Sequence, residues 1–412
     1  MKTNYRFDIY LRKEKIMSTY HGFIISDIHV GAMNLEQLHK EYQKLFIEEI
    51  RSAKKLDFII VGGDFFDRKF YLNDPETTMA YRMLKELLEA CKERNIPIRF
   101  VYGTESHECD QYNIMDLLKI YENIRVIKYA EEEELLPGLN VLYLPEEYLF
   151  NKDEYYEPFF KNHKKYDYIF GHGVIREVMK EQVAHIENSQ GNTKRKKVPI
   201  FSSSELSYCC KGQVFFGHYH INYDIDEKIF SIGSFSRWKF GEEGKKGYYK
   251  VECTPEKKKY KAEYRENTLT DKYDTVSFGY DAPIFSSVDA LQEASIGIDK
   301  MIEKSVKNHV RFIFNIPTQV ENPEATVNYL KERFKQKDNV KIEIVHGYIE
   351  EKKKQQQEEV DETNKKYAFI YDNNLTLEDK TSRFLSIEYN KELPIEEVAI
   401  YLYKPLQEIL ED

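Results

Sequence analysis

No stretch of the 412-residue chain approaches the ~18 consecutive apolar residues of a membrane-spanning helix, so an integral membrane protein is not expected. The first residues, MKTNYRFDIYLRKEKIM, lack a continuous apolar core and alternate charges with single apolar residues, which argues against a secretory signal. Cysteine is scarce: Cys91, Cys109, Cys209, Cys210 and Cys253 are odd in number and show neither disulfide nor metal spacing, so reduced, packed thiols in a cytoplasmic compartment are expected. Positive charge is not in excess either, with 61 Lys and Arg against 71 Asp and Glu for a net charge of -10. That balance excludes simple electrostatic wrapping of nucleic acid but leaves room for a local basic groove. What the chain does have is apolar material: a hydrophobic fraction of 41% with 14% aromatics excludes wholesale disorder. At about 150 residues per domain, two or three domains are expected, each large enough to fold without disulfides.

From Tyr20 to Cys253 short apolar runs alternate with helical periodicity. The runs at Gly22–Ser26, Phe58–Val61, Ile96–Tyr102, Val141–Leu144, Tyr166–Phe170 and Val214–Phe216 predict strands. Leu35, Leu38, Tyr42, Leu45, Phe46 and Ile50 predict one helix, and Met79, Met83, Leu84, Leu87 and Leu88 a second. Such alternation predicts an α/β fold. A turn-rich stretch at Glu266–Pro283 marks a boundary. Beyond it lies a small α/β module: a helix with Ile298, Met301, Ile302 and Val306, a strand at Val310–Ile316, a helix opened by Pro323 with Val327, Leu330 and Phe334 inward, and a half-buried strand at Val340, Ile342 and Ile344. Glu350–Lys366 is almost entirely polar and reads as a linker or a solvated helix extension. Pro394 opens a last helix with Ile395, Val398, Ala399 and Leu402 on one stripe.

Five of the predicted strands end in a cluster of Asp, His or Gly: Asp27-Ile28-His29, Gly63-Asp64-Phe65-Phe66-Asp67-Arg68, Gly103-Thr104-Glu105-Ser106-His107-Glu108, Gly171-His172-Gly173 and Gly217-His218-Tyr219-His220. In open α/β sheets the functional crevice lies outside the carboxyl ends of the strands, so these clusters converge on one site. In an extended segment residues i and i+2 point the same way; Asp27 and His29 can then reach one ion, as can His218 and His220. The glycines let backbone approach a metal without a Cβ. Mixed carboxylate and imidazole donors suit manganese, iron or zinc, and Asp64 is the candidate carboxylate to bridge two ions at about 3.5–4 Å separation. A single Asp-x-His is weak and more often structural; two acids and an Arg beside paired glycines make poor core, and all five clusters in this order leave little room for a purely structural reading. His21, His39, His163, His185, His309 and His346 stand in no such context and read as surface or satisfied histidines.

This order of motifs resembles the calcineurin-like metallophosphoesterase superfamily. Within it, Gly233-Ser234-Phe235-Ser236-Arg237, Phe240-Gly241-Glu242 and Lys246-Gly247-Tyr248 resemble the segment after GHxH in the SbcD nuclease family, the bacterial and phage counterparts of the eukaryotic meiotic-recombination DNA repair nuclease. The resemblance runs by motif from about Tyr20 to Cys253, and over the small α/β module by position alone. It implies a four-layer αββα sandwich over residues 20–265, a smaller α/β capping domain over 266–350 and a polar linker and partner-binding helical tail over 351–412; residues 1–19 read as an N-terminal extension, and Met17, shortly before the first strand, is a candidate for the true start. It further implies two divalent ions, manganese by expectation: one held by Asp27, His29, Asp64 and His220, the other by Asp64, His172 and His218. His107 would contact the scissile phosphate and assist the leaving group, while Asp67 and Arg68 would orient the loop, Arg68 bracing a carboxylate. The family turn usually reads Gly-Asn-His-acid, with the Asn a ligand of the second ion. Here it is longer and has no Asn, so Ser106, Thr104 or Glu105 would have to serve in its place.

The reaction so implied is two-metal hydrolysis of DNA phosphodiesters, exonucleolytic or endonucleolytic, in repair or recombination, with an SbcC-type coiled-coil ATPase as partner and a homodimer as assembly. Lys194, Arg195, Lys196 and Lys197, with Arg237, are the candidate DNA contacts. The stripe from Ile395 to Leu402 would dock on the ATPase or pack on the chain's own capping domain. Two other readings stand beside this one: a metallophosphoesterase acting on other phosphodiesters or phosphoproteins, and a catalytically weakened DNA-binding scaffold.

Overall fold

The apolar runs of the first half are buried on both faces. In β1 (Tyr20–Ile25) and β2 (Phe58–Val61), Phe23, Ile25, Ile59 and Val61 join one core, and Ile24, Phe58 and Ile60 another. A strand with no wet face shows no polar alternation, which is why these segments read as continuous hydrophobic runs. This is a computed structural model; it describes residues 18–113, 122–161, 165–179, 183, 197–242, 244–278, 292–293, 295–297, 299–300, 308–316, 328–329, 331–333, 340–346, 369 and 375–389. The chain divides into two compact units, Met1–Asp274 with Lys307–His309, and Thr275–Val306 with Val310–Asp412.

In the first unit, β1, β2, β3 (Ile98–Val101) and β4 (Ile124–Ile127) run parallel. A second sheet is built from β5 (Glu131–Leu136), β6 (Leu139–Leu144), β7 (Tyr166–His172), β10 (Cys210–Gly217), β11 (Tyr223–Ile225) and β12 (Ile229–Ser231), in the order β11-β12-β10-β7-β6-β5. The short strands β8 (Val174–Ile175) and β9 (Ile200–Phe201) pair with each other. The hairpin of β13 (Gly247–Thr254) and β14 (Lys259–Glu266) then returns antiparallel to β1, giving a first sheet ordered β14-β13-β1-β2-β3-β4.

The two sheets face each other across one apolar layer, where Ile24, Ile60 and Val101 of the first meet Val141, Tyr168, Phe170 and Phe215 of the second. Across the outer face of the first sheet lie α1 (Leu35–Tyr42), a π turn at Gln43–Ile47, α2 (Glu48–Ser52) and α3 (Thr77–Arg94), burying Leu38, Phe46, Ile50, Met83 and Leu87. Asn34 caps α1 by accepting the amides of Glu36 and Gln37, and left-handed Asn95 ends α3. After the one-turn helix α4 (Glu105–Glu108), α5 (Lys152–Phe160) and α6 (Ser203–Cys209) cover the second sheet's outer face through Tyr156 and Leu206. The result is the expected α/β/β/α sandwich. Among the polar ties between the sheets, Arg99 on β3 donates to both oxygens of Glu133 on β5, which also accepts from the Tyr143 hydroxyl.

Two strands stand where the sequence predicted them, at Val310–Ile316 and Val340–Ile344, and a third, running from Lys272 across the boundary between the units, falls in the stretch read as turn-rich. β15 (Lys272–Phe278), β16 (Asn308–Ile316) and β17 (Val340–His346) form a sheet in that order, β16 parallel to β17, with Val310, Phe312 and Phe314 buried along alternate positions of β16. A helix not predicted from the sequence, α7 (Leu377–Tyr389), opens on Thr376, whose hydroxyl accepts the Asp379 amide. The described residues of the predicted helices around Ile298 (292–293, 295–297 and 299–300) and after Pro323 (328–329 and 331–333) are helical, whereas Ile298 and Pro323 themselves, the polar run Glu350–Lys366 and the helix opened by Pro394 lie outside the described residues, as does the N-terminal extension through residue 17. Among the described residues no helix is long and apolar enough to cross a membrane, and none of the five cysteines is in a disulfide.

Candidate metal centre

Parallel strands in register end at the same level, so the loops leaving them start side by side. Ile25 pairs with Val61 and Val61 with Phe100 in the first sheet; Leu144 and Phe216 both pair with Gly171 in the second. Asp27, Asp64 and Thr104 therefore leave one sheet where Glu146, His172 and His218 leave the other. The extended i, i+2 geometry expected for Asp27 and His29 is not what aims them. Asp27 (φ 50°), His29 (φ 47°), Asp64 (φ 49°) and His218 (φ 91°) all occupy left-handed backbone, a conformation L-residues avoid and which concentrates where function demands it. Within each tight turn the two side chains are set by the reversal rather than by strand alternation. His218 and His220 in consequence face different donor groups instead of sharing one.

The first group is Asp27, His29 and His220. Nδ1 of His29 donates to Asp67 (2.9 Å) and Nδ1 of His220 donates to Glu242 (2.9 Å). Each Nε2 is thus left as a lone pair in the neutral ring, and the two Nε2 atoms stand 3.1 Å apart, with Asp27 Oδ1 at 3.9 Å from the first and 3.7 Å from the second. The Trp238 ring closes over both imidazoles, its centroid 4.7 Å from His29 and 4.8 Å from His220.

The second group is Glu146, His172 and His218. His172 is fully buried, and its Nδ1 donates to the Gly62 carbonyl at 2.8 Å. Its Nε2 has no hydrogen-bond partner and points at carboxylates, 3.3 Å from Asp64 Oδ2 and 3.8 Å from Glu146 Oε2. His218 Nδ1 lies 3.1 Å from Glu146 Oε2, and the His218 amide donates to Asp27. Gly63 makes room for this packing: at φ 98°, a Cβ there would lie 2.1 Å from His172 Nδ1. Gly103 does the same for Asp64, since a Cβ there would lie 2.3 Å from Asp64 Oδ1.

Asp64 stands between the groups, its Oδ2 3.6 Å from His29 Nε2 and 3.0 Å from His107 Nδ1 as well as 3.3 Å from His172. Burial alone would raise its pKa, but His172, His107 and His29 hold the carboxyl well below the usual range. Burial likewise works against charge on His172, yet the charge of Asp64 beside it pushes its pKa up to about 10. Buried carboxylates facing bare imidazole nitrogens require positive charge, and a proton on His172 is the monovalent way to supply it. A divalent cation fits the same donors, oxygens and imidazole nitrogens with the far ring nitrogen of His29, His172 and His220 already anchored, and displaces that proton on binding.

A model of the family described as calcineurin-like phosphoesterase matches residues 23–251. The chain belongs to that family. No curated protein matches it. One crystal structure is similar at 13% identity and a TM-score of 0.35, covering 60% of this chain and 99% of that one, a likeness too slight to carry argument. Phosphoesterases of this family use divalent metals, and the two donor groups are where this member would hold them.

Other residues singled out from the sequence fall differently. His107, a third exposed, sits at the rim with its Nδ1 on Asp64, which raises its pKa. Asp67 accepts from His29 Nδ1, and its amide donates to the Val30 carbonyl. Arg68 reaches no carboxylate of the site; its guanidinium pairs with Asp74 (3.0 Å) and Glu76 (2.8 Å). Arg237 donates to the carbonyls of Glu242, Gly244 and Asp271, holding the loop that brings Glu242 to His220. Lys197 is exposed, with its backbone paired to Leu149; Lys194, Arg195 and Lys196 lie outside the described residues. Glu146 and Glu242 were not among the predicted site residues. Glu146 follows a predicted strand as the other clusters do, and that was its one signal in the sequence.

Proposed function

We propose that this phosphoesterase is a metal-dependent DNA nuclease of the SbcD type, processing DNA ends with a coiled-coil ATPase partner. The observation that carries the reading is the sharing of Asp64 between two donor groups. Asp27, His29 and His220 stand on one side, His172 and His218 on the other, as hydrolysis with two ions requires. The narrowing to DNA rests on Gly233–Tyr248, the segment that resembles the SbcD family, which carries Trp238 over the first donor group and Glu242 against His220. Two divalent ions bound there, manganese in our reading, would supply Lewis acidity at the phosphate and a water of lowered pKa.

The chain's own residues do the rest. Asp64 fixes His107 through Nδ1, leaving Nε2 to meet a phosphate oxygen or donate to the departing 3′-oxygen. Trp238 and Glu242 hold the first donor pair against rotation. Purified protein with Mn2+ should shorten linear duplex DNA, more steeply at low salt, and act far more slowly on a small phosphodiester or a phosphopeptide. Faster turnover of either of those substitutes would replace the nuclease reading, and DNA binding without cleavage would make the chain a scaffold.

A further inference from the structure

The turn after β3 lacks the amide side chain expected at the second ion. Of the residues in this turn, Thr104 stands against the carboxylates of the centre. Its backbone amide donates to Asp64 Oδ1 at 2.7 Å, and its hydroxyl lies 3.3 Å from Asp64 Oδ2 and 3.1 Å from Glu146 Oε2. A hydroxyl has one proton, so it serves one of these carboxylates as a donor and is poorly placed to be the missing ligand itself. Ser106 and Glu105, whose side chains also carry oxygen, belong to the single helical turn α4, and Glu105 is exposed.

An oxygen arrives from the opposite sheet. Glu146 follows β6, its amide bonded to the Tyr102 carbonyl just before the turn. Its side chain is 1% exposed. One oxygen, Oε2, lies 3.1 Å from His218 Nδ1, 3.1 Å from the Thr104 hydroxyl and 3.8 Å from the orphaned Nε2 of His172. A buried carboxylate and a buried imidazole nitrogen with no hydrogen-bond partner, converging at 3.8 Å, mark a cation position. Resting on the two-ion reading above, we infer that Glu146 is the oxygen ligand of the second ion, standing where the family uses a neutral amide, with Thr104 holding its carboxylate in place.

The exchange alters the charge of the centre. Asp27, Asp64 and Glu146 bring three negative charges to the two ions where an amide at the third place would leave two. The second ion is therefore held by charge as well as by coordination, and its affinity depends on that charge.

Titration with Mn2+ alone, following the free ion by electron paramagnetic resonance and the bound metal by mass spectrometry, tests this. Wild type should bind two ions per chain. Glu146→Ala should bind one, with Asp27→Ala as the control that loses the other. Glu146→Gln keeps the shape and an oxygen but not the charge, and should keep two ions with the second weakened about 10-fold or more. Two ions held at wild-type affinity in both Glu146 variants overturn the inference and leave the two-ion reading intact. Fewer than two ions on wild type overturn the two-ion reading itself. Should Glu146→Ala fail to fold, seen as lost far-ultraviolet circular dichroism, Glu146→Gln decides alone.

Discussion

Nε2 of His29 and Nε2 of His220 face each other at 3.1 Å while a carboxylate grips the far side of each ring, Asp67 on one and Glu242 on the other. The arrangement gives each imidazole a fixed tautomer and a fixed angle, and it would make these two acids, outside the two donor groups, determinants of ion affinity. Burial favours the neutral form of both acids, but the hydrogen bonds from His29 and His220 outweigh it and hold both carboxyls below their usual range.

Removing either grip should therefore be read in metal binding before it is read in turnover. Asp67→Ala and Glu242→Ala should each weaken the first ion about 10- to 100-fold in a Mn2+ titration, leaving the second ion unchanged. Asn at 67 and Gln at 242 still accept the ring proton and should fall between wild type and Ala. An equal loss at both ions would show that these acids support the loops rather than the rings.

Gly63 offers a steric test of the second group. Gly63→Ala places a methyl on the His172 ring and forces a left-handed residue, a backbone cost of about 1–2 kcal/mol on its own. Gly173→Ala also meets positive φ, at 144°, but nothing lies within 4 Å of the added Cβ. Both variants should lower the urea midpoint, and only Gly63→Ala should lose the second ion. Loss of that ion in both would point to backbone strain as the cause.

Much of this centre was legible in the sequence because its loops follow strands buried on both faces, which stand out as apolar runs closed by Asp, His or Gly. The same rule failed at Glu146 because Leu144-Pro145-Glu146-Glu147 carries neither glycine nor histidine, and an acid after a strand is ordinarily solvated. Glu242 was invisible for a different reason: it contacts His220 only once the loop held by Arg237 folds back, a tertiary event with no local pattern. β14 went unread because Lys259–Glu266 is an edge strand with its charged residues exposed. The split of His218 from His220 could not follow from alternation, since the chain reverses at His218 (φ 91°) where the i, i+2 rule assumes extension.

The Arg99–Glu133 tie between the sheets predicts an acid limb of stability. Burial would raise the Glu133 carboxyl, but the two bonds from Arg99, at 2.7 and 2.9 Å, and the Tyr143 hydroxyl at 2.8 Å lower it below the ordinary 4.5. A carboxyl depressed in the folded state contributes stability that is complete above its unfolded pKa and disappears as pH falls through the folded one. Glu133→Gln should cost about 3 kcal/mol at neutral pH by stranding Arg99, which is 9% exposed. The gap between wild type and variant should close as urea midpoints are followed from about pH 5 to about pH 3. A gap that stays constant over that range would assign the loss to packing.

His107 is the one imidazole of the centre that combines contact with Asp64 and an exposed face. Asp64 keeps the Thr104 amide at 2.7 Å when His107 is removed, so its position between the donor groups survives. His107→Ala should therefore retain two Mn2+ per chain while cleavage of linear duplex falls by about 100- to 10,000-fold, the range expected for a lost general acid. The contrary outcome has a structural basis too, since His107, His29 and Asp67 form a further group of converging donors. Loss of an ion together with activity would move His107 from the leaving group to the metal and would leave the departing oxygen to be protonated by another donor.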